Sequence, residues 1–136
     1  MSAMSAAHTF KGQCLCGAVK FSITAPTLWC AHCHCSLCRR AHGAGFVTWV
    51  GSAEERFALD DPEGQLCWYG SSEDSRRGFC SRCGSTLFFQ SERWPGEMHV
   101  ARSNIQGEID RDPQAHVYCQ SQAEWITIGD ELPHKQ

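Results

Sequence analysis

The segment Cys14-Leu15-Cys16-Gly17-Ala18-Val19-Lys20-Phe21-Ser22-Ile23-Thr24 carries the two signals that organise the chain. Val19, Phe21 and Ile23 alternate with polar neighbours at period two, as a half-buried β-strand requires. Just ahead of them, Cys14 and Cys16 sit at i and i+2, which in an extended segment turns both thiols to one side. Outward from this stretch, short β-like runs recur at Phe46 to Val50, Gln65 to Tyr69, Ser85 to Phe89, Glu97 to Ala101, His116 to Cys119 and Trp125 to Ile128. Turn-rich stretches separate them, among them Asp60-Asp61-Pro62-Glu63-Gly64 and Asp110-Arg111-Asp112-Pro113. Only Ser36 to His42 reads as a short helix, with Ser36 as N-cap and Gly43 beyond its end. The expected fold class is mainly β.

At 136 residues, 42% hydrophobic and 20% charged, the chain suits one domain with one modest core. No apolar run approaches the ~18 residues of a membrane span, and Met1 to Gly12 has neither the basic start nor the apolar centre of a signal peptide. The expectation is a cytoplasmic protein without a membrane partner. Twelve Lys and Arg against fifteen Asp and Glu, with basic residues only in pairs such as Arg39-Arg40 and Arg76-Arg77, speak against nucleic acid. Ten cysteines in a reducing compartment point to metal ligands or reactive thiols, not disulfides.

The cysteines fall into groups. Cys80-Ser81-Arg82-Cys83-Gly84 is a knuckle whose thiols converge, with Gly84 supplying a backbone conformation other residues resist. Joined to Cys14 and Cys16 it makes a four-thiolate set suited to a closed, structural Zn2+. Cys33-His34-Cys35-Ser36-Leu37-Cys38 offers three more thiols and no second knuckle to complete them. Three ligands and an open position mark a reactive zinc, which makes two zinc ions per chain. Cys30, His32, His34, Cys67, His99, His116 or Cys119 as a fourth ligand would close that site and make it structural. Three thiolates leave zinc a net negative cluster, poor at ionising water but able to hold an exogenous thiol as thiolate. The expected substrate is a small thiol. Arg39, directly after Cys38, is the candidate to anchor its carboxylate. His34 is expected to point away from the metal, and Cys30, Cys67 and Cys119 to be small, partly buried apolar residues. The aromatic residues of the strand-like runs read as core, with one or two available to wall a cleft. The polar stretch Gly70 to Gly78 reads as a solvated hairpin loop that could fold over the metal region.

Taken in order, Gly12-x-Cys14-x-Cys16-Gly17-Ala18-Val19, Cys33-His34-Cys35-x-x-Cys38-Arg39-Arg40, Phe79-Cys80-x-x-Cys83-Gly84-Ser85-x-Leu87 and His99-Val100 resemble the glutathione-dependent formaldehyde-activating enzyme family, which also contains the centromere protein V domain. The resemblance spans residues 9–128, leaving 1–8 and 129–136 as tails. It implies a single zinc-binding β-tent domain of antiparallel sheets, a structural zinc on Cys14, Cys16, Cys80 and Cys83, and a second zinc on Cys33, Cys35 and Cys38. It further implies a carbon–sulfur lyase-like activity that forms or cleaves S-hydroxymethylglutathione from glutathione and formaldehyde. The alternative is a non-catalytic module with two structural zincs.

Overall fold

The computed structural model describes residues 8–136. The proposed tail 1–8 therefore lies outside the described residues except for His8. Among the described residues, ten strands, β1 (Thr9–Gln13), β2 (Lys20–Thr24), β3 (Trp29–Cys33), β4 (Val47–Ala53), β5 (Phe57–Asp60), β6 (Leu66–Ser72), β7 (Ser75–Cys80), β8 (Thr86–Ser91), β9 (Glu97–Ala101) and β10 (His116–Val117), accompany one α-helix, α1 (Ser36–His42), and three short 3-10 turns. They form a three-stranded sheet β1-β2-β5 and a seven-stranded sheet β10-β3-β4-β9-β8-β7-β6. Every pairing is antiparallel except β10 with β3. The mainly β class holds.

The alternation read in Val19, Phe21 and Ile23 is realised by Phe21 and Ile23 in β2, with Val19 buried just ahead of the strand, and these side chains close the small sheet onto the large one. Phe21 and Phe57 meet Phe88 edge-on, at ring separations of 5.3 and 5.1 Å. Val50, Leu87, Val100 and Ile105 complete this core. Successive residues of a strand face opposite ways, so Trp49, Phe89 and Ala101, one position along, belong to the large sheet's other face. There they pack with Cys33, Cys38 and Val47. The helix covers part of that second face.

Several local expectations needed revision. Helix α1 has the expected bounds, but Cys35 holds the N-cap position, with no side-chain cap, and Ser36 is its first residue. Cys14 to Val19 forms a turn, not an extended segment. Residues 70–78 form the expected hairpin, but as strand on both sides of a tight turn at Glu73 and Asp74 in place of a solvated loop. Trp125 to Ile128 is not a strand: Trp125 is 73% exposed, and Ile126 crosses close over Gly45. Residues at the C-terminal end lie alongside β10: the His116 N–H donates to the Pro133 carbonyl (2.8 Å) and the Lys135 N–H to that of His116 (2.7 Å).

Two cysteine clusters and a thiol-lined cavity

The first cluster is built from two similar turns. In one, the Gly17 N–H donates to the Cys14 carbonyl (3.1 Å); in the other, the Gly84 N–H donates to that of Cys80 (2.7 Å). Both glycines have φ of 81°, a left-handed conformation that side chains resist. The turns bring the sulfurs of Cys14, Cys16, Cys80 and Cys83 within 4.8 Å of one another. Cys16 Sγ lies 3.7 Å from Cys14 Sγ and 3.8 Å from Cys80 Sγ. A tetrahedron of thiolates around zinc, with Zn–S of about 2.3 Å, has sulfur–sulfur edges of about 3.8 Å. The donor set and its spacing therefore fit zinc. Burial pushes the Cys80 thiol up to about 11. At Cys83 burial acts the same way, but hydrogen bonds from the Ser85 hydroxyl and backbone outweigh it and bring the thiol to about 5.

The second cluster lies at the far face of the large sheet. Cys33 ends β3, Cys35 stands at the N-cap position of α1 and Cys38 is the buried residue of that helix. Cys33 Sγ donates to Cys38 Sγ at 3.7 Å, again close to a zinc-thiolate edge. Cys35 lines the same cavity, but its sulfur lies outside a mutual 4.8 Å spacing with the other two. Among the described residues, no other Cys, His, Asp or Glu donor joins this pair at that spacing. His99 is held instead by Glu97 Oε1 (2.9 Å), and burial lowers its pKa. Cys30 is buried in the core, its thiol pushed up to about 11, while Cys67 is exposed on β6. Cys119 lies on the 3-10 turn Cys119–Ser121. His34, expected to point away from the metal, is fully buried and engages His116 (2.8 Å) on another face.

The residue beside the thiols is Arg77. Both terminal guanidinium nitrogens stand 3.6 Å from Cys38 Sγ, and the group lies over the Phe89 ring at 4.9 Å. Only 7% exposed, it is the buried cation of this face. The Cys33 hydrogen bond and the Arg77 charge bring the Cys38 thiol to about 6 against the pull of burial, while Cys33, the donor, is pushed up. Arg39 lies elsewhere: it donates to the Ser121 carbonyl (3.0 Å) and is not among the residues lining the cavity.

Above the thiols opens a cavity of about 850 Å³. A cross-strand row runs along it, from Trp29 on β3 past Gly51 on β4 to His99 on β9, Phe89 on β8 and Arg77 on β7. Gly51 is needed in that row because a Cβ would collide with the Trp29 indole. Trp49, Trp94 and Tyr118 add further walls, and Arg93 and Lys135 add cations. Sequence reasoning missed Arg77 because it sits in a run of charges. The one available signal was its period-two position between Ser75 and Phe79.

The sequence profile of the glutathione-dependent formaldehyde-activating enzyme family matches residues 9–121. A Halomonas elongata protein whose provisional name is glutathione-dependent formaldehyde-activating enzyme is 30% identical over 125 residues, 87% of this chain and 80% of that protein. An uncharacterized lyase of Schizosaccharomyces pombe is 34% identical over 82 residues, 59% of this chain and 56% of its own length. A crystal structure of a Rhodobacter sphaeroides protein superimposes with a TM-score of 0.61 at 25% identity, covering 73% of this chain and 90% of that one.

Proposed function

The chain belongs to the glutathione-dependent formaldehyde-activating enzyme family, and on that premise we propose that it joins a small thiol such as glutathione to an aldehyde, or separates the adduct, in the cavity floored by Cys33 and Cys38. The observation that carries this reading is the buried thiol pair facing Arg77 at the bottom of a large aromatic-walled cavity. A volume of about 850 Å³ falls within the range of small-molecule sites. In this reading Cys14, Cys16, Cys80 and Cys83 hold a structural zinc, and Cys33, Cys35 and Cys38 hold a second. Bound there, zinc would supply a soft point of attachment that favours the thiolate form of an incoming thiol.

The protein's own residues supply the rest. Arg77 places a fixed positive charge beside the sulfur-rich floor, which favours an anionic sulfur there and offsets the crowding of thiolates. Trp29, Trp49, Phe89 and Trp94 limit water around the reacting centre and hold the thiol's carbon chain. Lys135 and Arg93, also in the cavity lining, offer cations for a carboxylate. In the forward direction the sulfur's electron pair forms the bond to the aldehyde carbon. The carbonyl π-pair moves onto oxygen, and the proton released from the thiol ends there as a hydroxyl; nothing is oxidised or reduced.

Cobalt substitution tests the reading. With cobalt in both cysteine sites, added glutathione should raise the thiolate-to-metal charge-transfer absorption, and Cys38→Ser should abolish that response. A ¹³C exchange measurement should show the protein accelerating interchange between formaldehyde and its glutathione adduct above the spontaneous rate. A spectrum unchanged at millimolar glutathione, with no added exchange, would replace this reading with a non-catalytic module carrying two structural metals.

A further inference from the structure

The face of β3 turned away from the thiols carries a second group of metal-type donors. Trp29, Ala31 and Cys33 point into the cavity, so His32 points to the opposite side. Its register partners are His116 on β10, parallel to β3, and Thr48 on β4. Asp130 reaches the same place because the chain after it runs back along β10, with the Leu132 N–H donating to the Asp130 carboxylate (3.0 Å). One nitrogen of each imidazole and one carboxylate oxygen all lie within 4.8 Å of one another. Asp130 stands beyond residues 9–121, the part that the family profile matches.

We propose that His32, His116 and Asp130 form a divalent transition-metal site separate from both cysteine clusters. Two imidazoles and a carboxylate are a recurring donor set for such ions, and zinc suits it. The surroundings match what a ligating histidine needs, a partner on the far ring nitrogen that fixes the ring and its tautomer. His32 Nδ1 is engaged by Thr48 Oγ1 at 2.7 Å, which leaves Nε2 to face the cluster. His116 Nδ1 is engaged by Nε2 of the buried His34 at 2.8 Å, which leaves its Nε2 beside Asp130. Asp130 is exposed and His32 partly so, which gives an ion a way in, and the exposed His134 ring lies 5.1 Å from that of His116. An ion held here fastens the chain after Asp130 to the sheet. Pro133, Lys135 and Gln136 of that segment form one wall of the thiol cavity, so the site organises the cavity from behind.

The test uses the full chain with its cysteine sites already filled with zinc and verified by metal analysis, to which more zinc is added. Histidine-ring ¹H–¹⁵N correlation spectra should show the Nε2 signals of His32 and His116 moving together and saturating with one further equivalent. Asp130→Asn, a change at an exposed residue, should weaken that binding at least about tenfold, and Thr48→Val, which removes the outer partner of His32, by roughly 10-fold. His32 and His116 signals that stay in place under excess zinc, or an unchanged affinity in Asp130→Asn, would overturn the proposal. The cobalt response is read at sulfur ligands, which this site lacks, so failure of this proposal is distinguishable from failure of the thiol reading.

Discussion

The two cysteine clusters use the same atom at nearly the same spacing, yet their surroundings differ in kind. Around Cys14, Cys16, Cys80 and Cys83 the neighbours are backbone amides, two left-handed glycines and Ser85, and all four sulfurs already stand in one group. Such a set would by itself complete the four-thiolate shell of a tetrahedral zinc. Around Cys33 and Cys38 the neighbours are Arg77, Trp49 and Phe89, the sulfur group is incomplete, and the open side faces a cavity. Ligand type alone would have made the two clusters equivalent. What separates them is the number of donors that converge and what lies on the side left over.

That contrast is broken most severely at the first cluster. Cys80→Ser or Cys83→Ser should abolish most soluble folded protein, because a structural zinc contributes an apparent ~10–16 kcal/mol where a domain's whole margin is about 5–15 kcal/mol. Circular dichroism and metal content of the refolded variant measure this. Cys38→Ser, by contrast, should leave a folded protein that has lost one metal and all response to added thiol. Equal collapse of both variants would erase the distinction.

Smaller changes sharpen it. Arg77→Met keeps the volume but removes the charge beside Cys38, so thiol binding should weaken roughly 10- to 100-fold, the worth of a buried charge-assisted contact, with little change in far-ultraviolet circular dichroism. Glutathione titration of the cobalt protein reads it. The smallest effect concerns acid. Burial, with Arg77 nearby, lowers His42 from 6.5 to about 4 in the folded protein. The unfolded chain then binds the proton more readily, so stability is complete above about pH 6.5 and falls as pH drops toward 4. The loss from this ring should reach about 1 kcal/mol by roughly pH 5.5. His42→Gln should remove that increment in denaturant unfolding compared across the two pH values, the loss shared by both proteins cancelling.

Much of this architecture is legible in residue order where one residue has one task. Val19, Phe21 and Ile23 alternate cleanly because they only fill a core, and Ser36 to His42 stops at Gly43 because the C-cap is local. Legibility fails where a residue serves two demands. In Trp29-Cys30-Ala31-His32-Cys33 the ligand-type residues hide the period-two signal of β3, and in Ser75-Arg76-Arg77-Gly78-Phe79-Cys80 the charges hide that of β7. Arg76 stacks outward on Trp68 at 3.9 Å while its neighbour turns in toward Cys38, a division that adjacent identical residues do not announce. The cavity is hardest of all to foresee, since its row from Trp29 to Arg77 spans five strands and exists only in register.

The claim that one cluster is closed and the other open to a thiol is met most directly by zinc-edge X-ray absorption on protein loaded with two zincs, before and after glutathione. Four sulfurs on one ion and three on the other predict an average of about 3.5 sulfurs per zinc with a light-atom scatterer beside them, rising to about 4 when the thiol is added. An average of about 4 at the outset, or one that glutathione leaves unchanged, would contradict it.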